Sequence, residues 1–107
     1  MKAAVYNNEI LAGILEKNTS GIFSFIYDEQ YLNNSEFPSI SLTLPKKQKE
    51  FSSSQLFPFF FGLLAEGVNK NIQCRLLKID EKDDFTRLLN TATNETIGAI
   101  TIKKMEL

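Results

Sequence analysis

The side chains that most often carry out chemistry in proteins are sparse in this sequence. The chain has no histidine and one cysteine, Cys74. Without histidine there is no imidazole to act as a general base or to complete a catalytic triad. A single cysteine excludes zinc sites built from several thiolates. Arg75 is the only basic neighbour of Cys74, so we expect a packed, unreactive thiol. The sequence therefore argues against an autonomous enzyme, and no catalytic residue is predicted.

Phosphate-binding and metal-binding motifs are also absent. The five glycines are scattered, and none falls in a Gly-x-x-x-x-Gly-Lys or Gly-x-Gly-x-x-Gly motif, so no nucleotide cofactor is expected. The densest group of carboxylates is the run Asp80-Glu81-Lys82-Asp83-Asp84. It lacks the alternating ligand positions and the distal glutamate of a calcium loop. Because acidic residues stabilise the first turn of a helix, we expect this run to begin a helix rather than to bind a metal.

Three lysines form the most basic segment, and they are followed by a phenylalanine: Lys46, Lys47, Lys49 and Phe51. Basic residues beside an aromatic ring occur in proteins that bind single-stranded nucleic acid. The formal net charge of −1 weakens any attraction to phosphate groups. We therefore interpret this segment as an exposed connection that Phe51 tethers to the core. A small barrel that binds single-stranded nucleic acid stays open as an alternative.

The chain is organised around residues 56–67, a stretch that contains four of the nine phenylalanines and three leucines. Each phenylalanine removes roughly 150–250 Å² from water when it is buried. The stretch is therefore expected to form core and to end in a shaped loop at Glu66 and Gly67. An aromatic patch that faces a partner protein is the alternative for some of its rings.

Length and composition predict one domain that spans residues 1–107. The chain is 43% hydrophobic and 23% charged, as is usual for folded domains. The N-terminal sequence reaches Asn7 before an apolar signal region develops, and no window approaches the ~20 apolar residues of a membrane span. With one cysteine no internal disulfide forms, and a cytoplasmic location is expected.

Apolar periodicity predicts an α+β fold. Strands are expected at residues 2–6, 9–17 and 22–27, joined by polar turns into an antiparallel meander. A short helix capped by Asp28 follows, and then a half-buried strand at 39–44 with Ile40, Leu42 and Leu44 on one face. The second half predicts a helix at 68–78.

A second helix and a closing strand complete the prediction. The helix follows the acidic run and carries one apolar stripe, formed by Phe85, Leu88, Leu89 and Ala92. The strand covers residues 98–103, with Ile100 and Ile102 on one face. The order of strands, then helices, then one strand is typical of the α+β class, with about five strands and two to three short helices expected.

Five motifs along the chain together resemble a known family. They are Phe25-x-Tyr27-Asp28-x-x-Tyr31-Leu32, Ser39-x-Ser41-Leu42-x-Leu44-Pro45, Phe59-Phe60-x-Gly62-Leu63-Leu64-Ala65-Glu66-Gly67, Asp84-Phe85-x-x-Leu88-Leu89 and Gly98-Ala99. In this order and spacing they resemble the N-terminal subdomain of HipA-type serine/threonine toxin kinases. The resemblance covers residues 5–102 and implies the bent antiparallel sheet of that subdomain.

The resemblance implies a partner and a role. HipA-type kinases continue into a region with nucleotide-binding and catalytic motifs, none of which occurs in this sequence. In the tripartite version of the system, a separate HipS-like antitoxin binds a shortened HipA-like kinase, HipT, and neutralises it. A HipB-like helix-turn-helix protein often joins the complex. The implied function is a non-catalytic antitoxin, and the remnant of a split kinase is a further alternative.

The resemblance also implies a contact segment for the kinase at the end of the aromatic stretch. Its residues are Leu64, Ala65, Glu66, Gly67, Val68, Asn69 and Lys70. The carboxylate of Glu66 is expected to pair with a lysine or arginine of the kinase. The family usually has proline where this chain has Ala65. Because proline fixes φ, the alanine is expected to leave the loop more adaptable.

Overall fold

The computed structural model describes residues 1–64, 74–76, 78, 80, 82–91 and 99–105. These residues form five strands and three helices that can be bounded along the chain. They are β1 (Lys2–Asn7), β2 (Ile10–Lys17), β3 (Phe23–Tyr27), α1 (Glu29–Asn33), β4 (Glu50–Ser53), α2 (Pro58–Phe61), α3 (Asp84–Thr91) and β5 (Ile100–Met105). The α+β class is confirmed.

The strands form one antiparallel sheet in the order β4-β3-β2-β1-β5. The first three strands are the predicted meander. β5 pairs with β1 along its whole length, with Val5 opposite Ile102. Ile100 and Ile102 are buried, as the alternation predicted. The two ends of the described chain therefore meet at one side of the sheet, where β5 is the edge strand and β1 is its neighbour.

The β1–β2 hairpin turns at Asn8 and Glu9, whose φ angles are +50° and +68°. Two successive residues with positive φ are characteristic of the type I′ turn, which matches the twist of paired strands. Val5 lies opposite Gly13 whereas Tyr6 lies opposite Leu11, so Ala12 is an extra residue in a β-bulge. The bulge changes which residues of β2 face the core.

The predicted strand at 39–44 is wrong. Ser41 and Leu44 form only an isolated bridge that closes a turn, and Leu42 is 99% exposed while Ile40 and Leu44 are buried. The strand that pairs with β3 on the side away from β2 is β4, with Phe25 opposite Phe51. The polar segment that was predicted to be a connection thus supplies the fourth strand. Phe51 is half-buried and packs against the core, so its tethering role is confirmed.

The helices α1 and α3 begin at acidic caps, as predicted. Asp28 accepts hydrogen bonds from the backbone N–H groups of Gln30 and Tyr31 at the start of α1. Asp83 accepts one from the N–H of Thr86 at 3.1 Å at the start of α3. Each carboxylate satisfies N–H groups that have no partner within the helix.

The predicted apolar stripe of α3 packs into the core. Phe85, Leu88 and Leu89 are buried. Ala92 lies outside the described residues, as does most of the predicted helix at 68–78. Residues 74–76 of that helix are helical, and Cys74 is buried, as the expectation of a packed thiol required.

Candidate partner-binding surface

Helix α2 places the aromatic stretch in the core. Pro58 begins the helix, where its missing N–H costs no hydrogen bond. The N–H of Phe61 donates to the carbonyl of Phe57, and that of Gly62 donates to the carbonyl of Pro58. This single turn directs Phe60 inward, where it is fully buried. The prediction that the stretch forms core is confirmed.

Phe60 is the centre of an aromatic cluster. Its ring centroid lies 5.7 Å from that of Phe25 on the sheet, 6.2 Å from that of Phe57 and 5.2 Å from that of Phe59. The interplanar angles of these pairs are between 53° and 72°, which places the edge of one ring near the face of another. The helix is thereby fixed against β3.

One ring of the stretch faces outward. Phe61 is 41% exposed. It lines a cleft of about 640 Å³ between the end of β2, the start of β3, α2 and the start of α3. The rings of Phe23 and Phe85, stacked with centroids 5.7 Å apart, line the same cleft. The cleft therefore offers apolar surface directly before the predicted contact segment.

The charged groups that line this cleft are two lysines, Lys17 and Lys82. The Nζ of Lys17 lies 5.5 Å from the centroid of the Phe23 ring. None of the described lining residues is acidic. The surface combines exposed aromatic carbon with positive charge, which suits an apolar segment that carries a carboxylate.

Two carboxylates near Lys82 make local hydrogen bonds. Asp83 accepts from the N–H of Thr86 and, at 2.8 Å, from its hydroxyl. Asp80 accepts from the N–H of Lys82 at 2.9 Å. These bonds support the predicted helix-starting role of the acidic run. Within the part of the chain that the structure describes, no group of three or more potential metal ligands comes together.

The structure describes one of the seven predicted contact residues. Leu64 is buried in the core, and its N–H donates to the carbonyl of Phe61 at 3.1 Å. Residues 65–70 lie outside the described residues. The prediction that Ala65, Glu66, Gly67, Val68, Asn69 and Lys70 contact a kinase therefore stays a prediction, with Leu64 holding the beginning of the segment to the core.

The lysine segment considered above for nucleic-acid binding makes contacts within the protein. The Nζ of Lys46 donates to the carbonyls of Asn34 and Phe37, each at 2.7 Å. Lys49 pairs with Glu29 at 2.9 Å, and this bond lowers the pKa of the glutamate. The ring of Phe51 packs edge-on against Tyr27. Two of the three lysines and the ring are thus turned to internal contacts, which disfavours the nucleic-acid alternative.

Sequence reasoning missed the cleft and the exposure of Leu42. The cleft brings together residues from the β2–β3 hairpin, α2 and α3, which are distant in the sequence. Leu42 was assigned to a buried face because it alternates with Ile40 and Leu44. The flanking hydroxyl residues Ser41 and Thr43, which bond to each other at 2.9 Å in the turn, were the available signal.

The described residues contain no helix that is long and apolar enough to cross a membrane.

Comparison with known proteins agrees with this architecture. The family described as HipA N-terminal domain matches residues 3–103. A solved structure titled N-terminal domain of HipA toxin superposes with a TM-score of 0.71 at 30% identity, covering 98% of this chain and 94% of that one.

Two curated proteins are also similar in sequence. An uncharacterised protein of Haemophilus influenzae is 36% identical over 92 residues, which are 86% of this chain and 81% of that protein. The putative kinase Y4mE of Sinorhizobium fredii is 29% identical over 90 residues, which are 84% of this chain and only 21% of the kinase. The chain therefore corresponds to a small part of that longer protein.

The fold and the comparisons define the class as a small α+β domain of the kind found in HipA toxins. This chain belongs to the HipA N-terminal domain family.

Proposed function

We propose that this chain is a single-domain, non-catalytic antitoxin that binds a HipA-like serine/threonine kinase of the HipT type and neutralises it. The observation that carries this proposal is the family match over residues 3–103. A similar stretch forms about a fifth of the putative kinase Y4mE. A domain that accompanies a kinase within one chain has a surface suited to the same kind of kinase when the two are separate chains.

The cleft beside Phe61 supports a binding role. It presents the partly exposed ring of Phe61 next to two lysines, and an apolar centre with a charged rim is usual in protein interfaces. The proposed occupant is an apolar segment of the kinase that carries at least one carboxylate. The adjacent segment 64–70 is proposed to extend the same contact, with Glu66 paired to a basic residue of the kinase. A HipB-like DNA-binding protein is proposed as a further member of the complex.

The test is to mix the purified chain with a HipA-like kinase that lacks this N-terminal domain. We expect a stable complex and loss of kinase autophosphorylation. Phe61→Ala should weaken the complex by about tenfold or more, as truncation of an interface aromatic residue does. Ile10→Ala is the matched control, because Ile10 has the same 41% exposure as Phe61 and does not line the cleft.

Failure of the wild-type chain to bind the kinase at micromolar concentration would refute the proposal. A complex that forms without loss of autophosphorylation would refute neutralisation but not binding. Equal weakening by the two variants would remove the cleft from the proposed interface.

A further inference from the structure

Leu42 is the most exposed large apolar side chain among the described residues. It is 99% exposed, compared with 75% for Leu76 and 54% for Met1. It stands at the tip of the turn formed by residues 41–44, between the hydroxyl residues Ser41 and Thr43. An exposed leucine is common on protein surfaces and needs no explanation by itself. Leu42 differs from other exposed leucines because hydrogen bonds fix the turn that carries it.

The tip of the turn is fixed by local hydrogen bonds. The N–H of Leu44 donates to the carbonyl of Ser41 at 3.1 Å, and the N–H of Thr43 donates to the Ser41 hydroxyl at 3.2 Å. Both ends of the turn are tied to a core residue, because the hydroxyl of Tyr27 accepts from the N–H of Ile40 at 3.1 Å and donates to the carbonyl of Leu44. The side chains of Ile40 and Leu44 are buried on either side of it.

Lys46 closes the base of this loop. Its N–H donates to the hydroxyl of Ser39 at 2.9 Å, and its ammonium group lies 5.2 Å from the centroid of the Tyr31 ring. The same ammonium group bonds two backbone carbonyls. Hydrogen bonds to Tyr27 in the core and to Lys46 at the base of the loop therefore restrain the turn. The backbone that carries Leu42 loses little conformational entropy when it binds. A preorganised contact of this kind lowers the entropy cost of association.

The charge beside the turn specifies the partner surface further. Of the three lysines that follow the turn, Lys46 and Lys49 are held by internal partners, and Lys47 is exposed. Lys47 is therefore the exposed lysine that follows the turn most closely along the chain, and no described residue holds it to the loop base. The complementary surface is an apolar socket bordered by a carboxylate.

We propose that the turn 41–44 is a second docking element, in which Leu42 enters an apolar socket on the kinase and Lys47 faces a carboxylate at its rim. This inference rests on the proposed function, because the kinase is the partner that the family relation supports. A single leucine flanked by two hydroxyl residues offers too little apolar surface to hold a membrane. It suits one socket on a protein, as interface anchors do.

The test compares Leu42→Ser with Leu76→Ser in a binding titration against the same HipA-like kinase. Leu76 is a matched control because it is the next most exposed leucine of the described residues and lies outside the turn. Losing the burial of one leucine should weaken binding by about 10- to 100-fold for Leu42→Ser. Its urea unfolding midpoint should equal that of the wild type. Leu76→Ser should bind as the wild type does.

Lys47→Glu tests the charge at the rim. It should weaken binding by roughly threefold to tenfold at low salt, and the loss should shrink as salt screens the pair.

Leu42→Ser binding within about twofold of the wild type would overturn the docking element while leaving the proposed function intact. Equal loss in Leu42→Ser and Leu76→Ser would overturn it as well. A wild-type chain that does not bind the kinase would overturn both. A wild-type dimer that Leu42→Ser converts to monomers would show that the socket is on a second copy of this chain.

Discussion

Tyr27 joins the core to the loop that carries Leu42. Its ring stacks on Tyr31 with centroids 6.0 Å apart and meets Phe25 edge-on at 4.9 Å. Its hydroxyl serves both backbone groups at the ends of the turn. Burial raises the pKa of Tyr27 above its ordinary value, so the hydroxyl stays protonated and able to donate at neutral pH. One side chain therefore determines both the packing of β3 and the position of the turn.

At this scale we predict that Tyr27→Phe destabilises the fold by about 1–3 kcal/mol, because the buried carbonyl of Leu44 and the N–H of Ile40 lose their partner. The measurement is the free energy of unfolding in urea. Tyr6→Phe is the control, since Tyr6 is half-buried on β1 and away from the turn. Equal stability of Tyr27→Phe and the wild type would contradict the role assigned to the hydroxyl.

Strand β2 depends on a residue without a side chain. A Cβ atom at Gly13 would lie 2.5 Å from the carbonyl oxygen of Ile26 and 2.7 Å from the Phe25 ring. Ile26 belongs to β3 and lies opposite Ile14, so its backbone moves only if the β2–β3 pairing is disturbed. The ring of Phe25 approaches the sheet here because Gly13 leaves it room.

For this element we predict that Gly13→Ala lowers the free energy of unfolding by about 1–3 kcal/mol through overpacking. Gly62→Ala is the matched control, because Gly62 has helical angles (φ −65°, ψ −14°) and its nearest neighbour would lie 3.4 Å from the new carbon. That change should leave stability unaltered or slightly raised. A Gly13→Ala protein as stable as Gly62→Ala would show that the strands adjust without cost.

The elements that sequence reasoning predicted are those in which local pattern and final pairing agree. In β3 and at the start of β5, every second residue is buried, as the sequence pattern predicted. Asp28 and Asp83 cap helices as their positions indicated. The segment 39–44 alternates just as clearly, but it forms a turn closed by the bridge between Ser41 and Leu44. The strand that pairs with β3 on the side away from β2 is β4. Alternation within one segment does not show which strand that segment will pair with, or whether it will pair at all.

Only the part of the candidate surface that depends on local sequence could be predicted. The burial of Phe60 follows from the local density of aromatic residues. The cleft requires Lys17, Phe23 and Phe85 to meet, and that meeting is a product of the whole fold. The contact segment 64–70 was implied by the family resemblance rather than by any property of its residues, and its role stays a prediction.

At the scale of the molecule, the last described strand, β5, completes the sheet. β5 pairs with β1, so the sheet joins residues separated by nearly the whole described chain. Ile100 and Ile102 are buried there, and each fully buried side chain of this size contributes roughly 1.5–3 kcal/mol. These contributions are large beside the ~5–15 kcal/mol of net stability that small domains possess.

At the scale of the molecule we predict that a chain ending at residue 98 does not fold cooperatively. A chain ending at residue 105 should unfold with the midpoint of the full sequence, and it serves as the control. Circular dichroism during urea titration distinguishes the two outcomes. A sigmoidal transition in the shorter chain would show that β5 is dispensable.

The position of β5 also has a consequence for synthesis. The strand that completes the sheet is made after every other strand, and its neighbour β1 is made first. During translation, one edge of β1 has no partner strand until residues 100–105 have left the ribosome. Docking that depends on the finished sheet is therefore delayed until after translation of this strand, and nascent β1 is the edge that a chaperone would need to shield.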